Sequence, residues 1–243
     1  TDKIVPFMVV IYVGASIFVL VARYDMIGDA FMQIINGAFS PEGVVGGAIG
    51  VLVQGFRRAA FSNEAGVGSA SIAHSAVRTK YAASEGMVAL LEPFVDTVVV
   101  CTMTAVVLII TGNVNPENAT LNDAQAILLT SGAFESVISW FPYVLTIAVV
   151  LFAFSTMISW SYYGYQGWAF LFGRNKKMEY VYKAIFCLFV VIGSAAGLGS
   201  VVGFSDAMIF AMMVPNMIGL VILAPKVRDE LTKYVAAIKT IRK

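Results

Sequence analysis

Long apolar runs constrain the fold of this chain more than any other feature of its sequence. Of its 243 residues, 59% are hydrophobic and 13% are charged, whereas a soluble globular protein has about 25% charged residues. A run of about 20 apolar residues is long enough to cross a bilayer as a helix, and several runs here reach that length. The sequence therefore predicts an all-α polytopic membrane protein, organised as one transmembrane domain.

Six spans are predicted from these runs and from the polar segments between them. They cover residues 4–22, 43–75, 86–111, 138–172, 181–202 and 207–224. The second span is predicted to be broken, because its first apolar half is too short to cross the membrane alone. A short amphipathic helix is predicted within the loop 23–42, and another short helix is predicted at 122–129. A tight turn is predicted at 203–206. Pro225 is expected to end the sixth span, before a charged amphipathic tail at 225–243.

Lysine and arginine are concentrated in alternate loops of this six-span arrangement. The loops 74–85 and 173–183 and the tail 225–243 are basic, whereas the loops between them contain mainly aspartate and glutamate. Basic loops are retained on the cytoplasmic side of a membrane. The pattern therefore predicts that both ends of this chain are cytoplasmic.

Charge and histidine content exclude several functional classes. The net charge is +1, which gives no electrostatic basis for binding nucleic acid. The chain has one histidine, His74, so a histidine-based metal site or a serine–histidine–aspartate triad is not expected. An intramembrane hydrolase that uses Ser69 and His74 is the weakest alternative, since the two residues are five positions apart.

The stretch "QGFRRAAFSNEAGVGSA" places charged and small residues inside the second span. A charge at the centre of a membrane helix costs about 2.5 to 3.5 kcal/mol on insertion scales. We interpret the stretch as a helix break near Gln54–Arg58, followed by a second half-helix that Ser62 or Asn63 would cap, with Glu64 in its first turn. Freed backbone groups at such a break suit an amino-acid zwitterion, because helix N-termini favour anions and free carbonyls favour cations.

Two carboxylates one helical turn apart, Glu92 and Asp96, lie in the third span. One interpretation is proton-relay or acid–base chemistry. The favoured interpretation is ion pairing with Arg57 and Arg58, because buried charges are rarely tolerated alone.

Hydroxyl and aromatic side chains share one face of the fourth span. They are Ser155, Thr156, Ser159, Trp160 and Tyr163. Hydroxyl oxygens suit a small hard cation, and Trp160 would close a small pocket. The alternative is that these hydroxyls only join neighbouring helices.

Three segments resemble the alanine/glycine:cation symporters, the sodium:alanine symporter family. They are "GFRRAAFSNEAGVGSASIAHSAVRT", "EGMVALLEPFVDTVVVCTMTAVVLIITG" and "LFAFSTMISWSYYG". The resemblance extends over almost the whole chain and departs mildly at Ala59 and Ala60, where members often have glycine. It implies part of a leucine-transporter-type inverted-repeat fold. The six spans would be its helices five to ten, with a discontinuous sixth helix, and the preceding helices would lie outside this sequence.

The resemblance also implies a function and a site. The function is sodium-coupled symport of alanine and glycine across the plasma membrane by alternating access, with no enzyme activity and no cofactor beyond the coupling sodium ion. Another solute or proton coupling through Glu92 and Asp96 is the alternative. The implied substrate-binding residues are Gln54, Gly55, Phe56, Phe61, Thr156 and Trp160. The implied sodium ligands are Ser155, Thr156 and Ser159.

Overall fold

The computed structural model describes residues 3–39, 48–114 and 123–241, and within these ranges every regular element is a helix. The α-helices are α1 (Ile4–Ala22), α2 (Ile27–Phe39), α3 (Ala48–Ser62), α4 (Ser69–His74), α5 (Ala82–Ala89), α6 (Leu91–Pro93), α7 (Thr102–Ile110), α8 (Asp123–Glu135), α9 (Phe141–Phe172), α10 (Lys176–Ala195) and α11 (Leu198–Ile241). A 3₁₀ turn at Tyr24–Met26 precedes α2, and a π-helical segment at Phe94–Cys101 joins α6 to α7.

Five helical stretches among the described residues are long and apolar enough to cross a membrane. They are Val5–Ala22, Ala82–Ile110, Phe141–Phe172, Lys176–Ala195 and Leu198–Thr240. At most 17% of the most apolar window of each stretch is buried inside the structure. Because most of these apolar side chains are not covered by the chain itself, the architecture is that of a multi-pass membrane protein.

Two predicted boundaries near the C-terminus are wrong. The turn predicted at 203–206 lies within α11, and the chain turns earlier, at Ala196, where ψ is 155°. Pro225 also lies inside α11, which continues to Ile241. The residues after Pro225 include four lysines, two arginines and two alanines, which favour helix strongly enough for it to continue past one lost hydrogen bond. The predicted start of the second span, at 43–47, lies outside the described residues.

Contacts between residues divide the chain into two compact units. The first contains Thr1–Leu52 and Val100–Gly199, and the second contains Val53–Val99 and Ser200–Lys243. In the first unit, α1, α2, α7, α8 and α9 enclose a core of fully buried side chains that includes Val19, Val107 and Phe134. The Tyr12 hydroxyl lies 2.6 Å from the Thr104 hydroxyl, so a hydrogen bond also joins α1 to α7.

Close contact between α9 and α10 in the first unit depends on Gly164. The Tyr182 hydroxyl donates to the Ser161 carbonyl at 2.9 Å, and a Cβ at Gly164 would overlap this hydroxyl. The turn between the two helices uses Gly173, with φ of 86°, and Asn175, whose side chain caps α10 by accepting from the Met178 amide at 2.8 Å. Glycine at the end of one helix and asparagine at the start of the next are favoured for these geometries.

Candidate functional site

The interruption of the second predicted span lies in the second unit, between α3 and α4. Its backbone has left-handed φ angles at three positions, +54° at Glu64, +82° at Gly66 and +111° at Gly68. The break was predicted at Gln54–Arg58, where α3 is instead continuous. A single glycine, Gly55, is tolerated inside a helix, whereas two glycines two residues apart allow the positive φ angles that a break requires.

Side chains from the π-helical segment hold the end of α3 in place. Ser62 donates to a carboxylate oxygen of Asp96, and the Asn63 amide nitrogen donates to the Thr97 hydroxyl at 2.8 Å. The side-chain oxygen of Asn63, a residue that is 8% exposed, accepts from the Ala65 amide at 3.0 Å. Pro93 precedes this segment and lacks the N–H of a regular helix, and wide helical turns are common at functional sites. Ser62 and Asn63, at the end of α3, are thus paired with Asp96 and Thr97, which are consecutive in the π-helical segment.

Asn216, on α11, holds the middle of the break. Its amide nitrogen donates to the Gly66 carbonyl at 2.8 Å. Atoms of the same side chain would lie 3.2 to 3.3 Å from a Cβ at Gly68, so the glycine allows this close approach. The prediction that Ser62 or Asn63 caps the second half-helix is wrong, because α4 begins after Gly68 and has no side-chain cap.

An ion pair between a partly exposed arginine and a buried carboxylate joins α3 to α11. Arg57 pairs with Asp206, whose side chain is 7% exposed. The other carboxylate oxygen of Asp206 is buried without a hydrogen-bond partner in the described structure. The favoured prediction was that Glu92 and Asp96 pair with Arg57 and Arg58. It is wrong for Arg57, which pairs with Asp206, and among the described residues Glu92 faces His74 and Asp96 accepts from Ser62.

The substrate-binding residues predicted in the second span all lie on α3 and in the second unit. They are Gln54, Gly55, Phe56 and Phe61. Phe56 is 70% exposed and Phe61 is half-buried, while the side chain of Gln54 lies outside what the structure describes. Phe61 is the member of this group nearest to the break, one residue before the end of α3.

The residues predicted on the fourth span lie on α9, in the first unit. Ser155 is buried, Ser159 and Trp160 are half-buried, and Thr156 is exposed. The rings of Trp160 and Tyr163 are in edge contact, with their centroids 5.9 Å apart. The predicted site residues therefore divide between the two units.

His74 lies at the end of α4, outside the five apolar stretches. Its Nδ1 lies 2.8 Å from Glu85 Oε1, and its Nε2 lies 3.3 Å from Glu92 Oε2. The hydrogen bond with Glu85 is the largest cause of a raised pKa of His74, which burial opposes and Glu92 reinforces. The Ser69 hydroxyl is buried without a partner among the described residues. Ser69 and His74 therefore do not form a nucleophile–base pair.

Three residues at this site were missed in the sequence: Asp206, Asn216 and, as a partner of the π-helical segment, Asn63. The first two are isolated polar side chains in apolar runs, "SVVGFSDAMIF" and "MMVPNMIGL". Polar residues within membrane spans are costly and usually have a partner or a role. That signal was available for both residues, but it does not identify their partners.

Comparison with known proteins gives a consistent assignment. A model of the sodium:alanine symporter family matches residues 1–243. A sodium/alanine symporter of Methanococcus maripaludis is 38% identical over 232 residues, which cover 95% of this chain and 50% of that protein. An amino-acid carrier protein of Bacillus subtilis is 32% identical, with coverages of 92% and 47%. A probable sodium/glutamine symporter of the same organism is 30% identical, with coverages of 96% and 48%. The chain spans about half the length of these curated relatives.

Proposed function

Since this chain belongs to the sodium:alanine symporter family, we propose that it is part of a transporter that carries alanine and glycine with sodium by alternating access. The family consists of symporters rather than enzymes, and the chain supplies helices suited to a membrane. We propose a leucine-transporter-type fold, with α3 and α4 as the two halves of its sixth helix. No cofactor other than the coupling sodium ion is proposed.

The interrupted helix is the observation that supports this function most directly. Backbone groups released from helical bonding are tolerated at membrane depth only where protein or a water-filled cavity satisfies them. Here one of the carbonyls, that of Gly66, accepts a bond from Asn216, and the break is anchored to the π-helical segment through Asn63. Broken helices of this kind form the substrate sites of many secondary transporters.

The proposed substrate-binding residues are those of the two predicted groups. On α3, Gln54, Gly55, Phe56 and Phe61 would contact the substrate, and on α9 Thr156 and Trp160 would do so. The hydroxyls of Ser155, Thr156 and Ser159 are proposed sodium ligands, since oxygen atoms suit a small hard cation. Because the chain spans about half the length of its relatives, the remaining ligands are proposed to lie in helices outside this sequence.

The proposed location is the plasma membrane, with both ends of this chain in the cytoplasm. The helix α11 has 44 residues, or roughly 66 Å at 1.5 Å per residue, about twice the thickness of a hydrocarbon core. Its last turns contain Lys226, Arg228, Lys233 and Lys239. Basic residues beyond the membrane support a cytoplasmic tail.

The sodium dependence of uptake tests this proposal. In vesicles that contain the full-length transporter, alanine uptake is expected to require an inward sodium gradient and to be lost when choline replaces sodium. Glycine is expected to compete with alanine, whereas glutamine is the matched test of size selectivity. Uptake that ignores sodium and follows a proton gradient would reject sodium coupling, and uptake of glutamine but not alanine would reject the substrate assignment.

Substitution of Trp160 tests the pocket. Trp160→Ala is expected to weaken alanine affinity about tenfold or more, because the large ring would no longer close a pocket sized for a small side chain. Uptake of larger neutral amino acids is expected to rise. KM and kcat for alanine, serine and glutamine measure the change, with Trp168→Ala as the matched control on the same helix. Unchanged affinity and selectivity in Trp160→Ala would contradict the assignment.

A further inference from the structure

His74 lies between two carboxylates that come from two different helices. Glu85 is on α5 and Glu92 is on α6, and each faces a different nitrogen of the imidazole ring, at 2.8 and 3.3 Å. The side chains of His74 and Glu85 are 26% and 18% exposed, and that of Glu92 is 53% exposed. None of the three side chains is fully buried within the protein.

The placement of one carboxylate at each ring nitrogen selects the charged form of the histidine. A neutral imidazole donates from one nitrogen only, and its other nitrogen presents a lone pair to the facing oxygen. The imidazolium donates from both nitrogens, so it forms two charge-assisted bonds where the neutral ring forms one. The geometry therefore favours proton uptake by the histidine.

The electrostatic surroundings act in the same direction. The carboxylates that raise the pKa of His74 are Glu85, through the largest contribution, and Glu92, against an opposing effect of burial. Within α4 itself His74 is the one titratable residue. The following loop contributes Arg78 and Lys80, and the Lys80 ammonium lies over the Tyr81 ring, 5.4 Å from its centroid. Histidine is the side chain whose ordinary pKa is closest to physiological pH.

We propose that His74, Glu85 and Glu92 form a proton-binding site that ties α4 to α5 and α6. The helix α4 is the short segment directly after the break. Protonation of His74 would therefore strengthen the contact of α4 with α5 and α6, on one side of the break. The site is distinct from the Asp96–Ser62 contact. It does not depend on which solute is transported.

The sign of the pH dependence follows from the raised pKa. A histidine with a higher pKa in the folded state than in the unfolded state stabilises the fold fully below the unfolded value. That contribution is lost as the pH rises through the folded value. The contact of α4 with α5 and α6 is therefore expected to be strongest in mildly acidic solution and to weaken towards alkaline pH.

Titration of the imidazole in the full-length transporter tests the proposal directly. With ¹⁵N-labelled histidine, the signal absent from the spectrum of His74→Gln identifies His74. Its midpoint is expected to lie above the ordinary value of 6.5. Glu85→Gln and Glu92→Gln are expected to lower that midpoint, with the larger shift for Glu85→Gln. The matched control is Glu179→Gln, which removes a carboxylate paired with Lys183 and is expected to leave the midpoint unchanged.

The outcomes separate this proposal from the proposed transport function. A His74 midpoint at or below 6.5, or one that neither glutamine substitution lowers, would overturn the proton site whatever the transporter carries. If His74→Gln does not fold, the two glutamine variants still decide, because the proposal is overturned when neither changes the midpoint of any histidine signal. A lowered midpoint supports the proton site even if alanine uptake proves independent of sodium.

Discussion

Arg57→Ala is expected to destabilise the full-length transporter by about 3 to 5 kcal/mol, because it leaves a buried carboxylate without its cation. The cost arises mainly at Asp206, which is 5% exposed as a whole residue, rather than at Arg57, whose side chain is 38% exposed. The second carboxylate oxygen of Asp206 already lacks a partner among the described residues. Loss of the Arg57 guanidinium would therefore remove the ion pair of the Asp206 carboxylate, whose other oxygen has no hydrogen bond from the described residues to compensate.

A double-mutant cycle isolates the ion pair from the other contacts of Arg57. Asp206→Asn removes the buried charge, so the combination of Arg57→Ala with Asp206→Asn is expected to recover much of the stability that Arg57→Ala loses. Reversible unfolding in mixed micelles, or the melting temperature in detergent, measures the three variants. Lys183→Ala breaks the exposed pair with Glu179 and is the control, with a much smaller expected cost, because exposed ion pairs contribute little to stability. Equal losses for Arg57→Ala with and without Asp206→Asn would contradict an energetic role for the pair.

The hydrophobic pattern predicted where several long apolar helices lie, but it predicted six spans, whereas five helical stretches of the described residues are long and apolar enough to cross a membrane. Apolar length alone placed helices at 4–22, 86–111 and 138–172, close to those in the structure, because lipid exposure demands apolar residues on most faces of each helix. The pattern failed to predict helix in segments that are not predominantly apolar. The segment after Pro225 remains helical through its own composition, and the residues at 203–206 are helical although they contain glycine, serine and aspartate.

The break was predicted from its composition but was placed too early in the sequence. The charges at Arg57 and Arg58 suggested a polar interruption, whereas backbone conformation places it at the residues with positive φ angles, which include Gly66 and Gly68. The partners of the polar side chains were less predictable. Asp206 and Asn216 lie about 150 residues after Arg57 and Gly66 in the chain, so only the packing of α11 against the break identifies them.

Gly68→Ala is expected to destabilise the transporter by about 2 to 6 kcal/mol and to reduce alanine uptake. The φ angle of +111° is one that side chains with a Cβ rarely adopt, and such strain costs about 1 to 3 kcal/mol. The added Cβ would also lie 3.2 to 3.3 Å from atoms of Asn216, and overpacking of this kind costs a further 1 to 3 kcal/mol or so. Both effects act on the segment that holds the two half-helices.

The matched control for this substitution is Gly219→Ala, on α11. A Cβ at Gly219 meets no atom within 4 Å, and alanine in a helix is favoured over glycine by roughly 0.5 to 1 kcal/mol. Adding Asn216→Ala to Gly68→Ala removes two of the three Asn216 atoms that the new Cβ would meet. This change is expected to relieve part of the steric loss but not the strain in φ, so the double variant should cost less than the sum of the two single variants. Melting temperature and initial uptake rate measure all four proteins. If Gly68→Ala melted like Gly219→Ala, the break would be conformationally free. The contacts of Asn216 with Gly66 and Gly68 would then not contribute to the stability of the break.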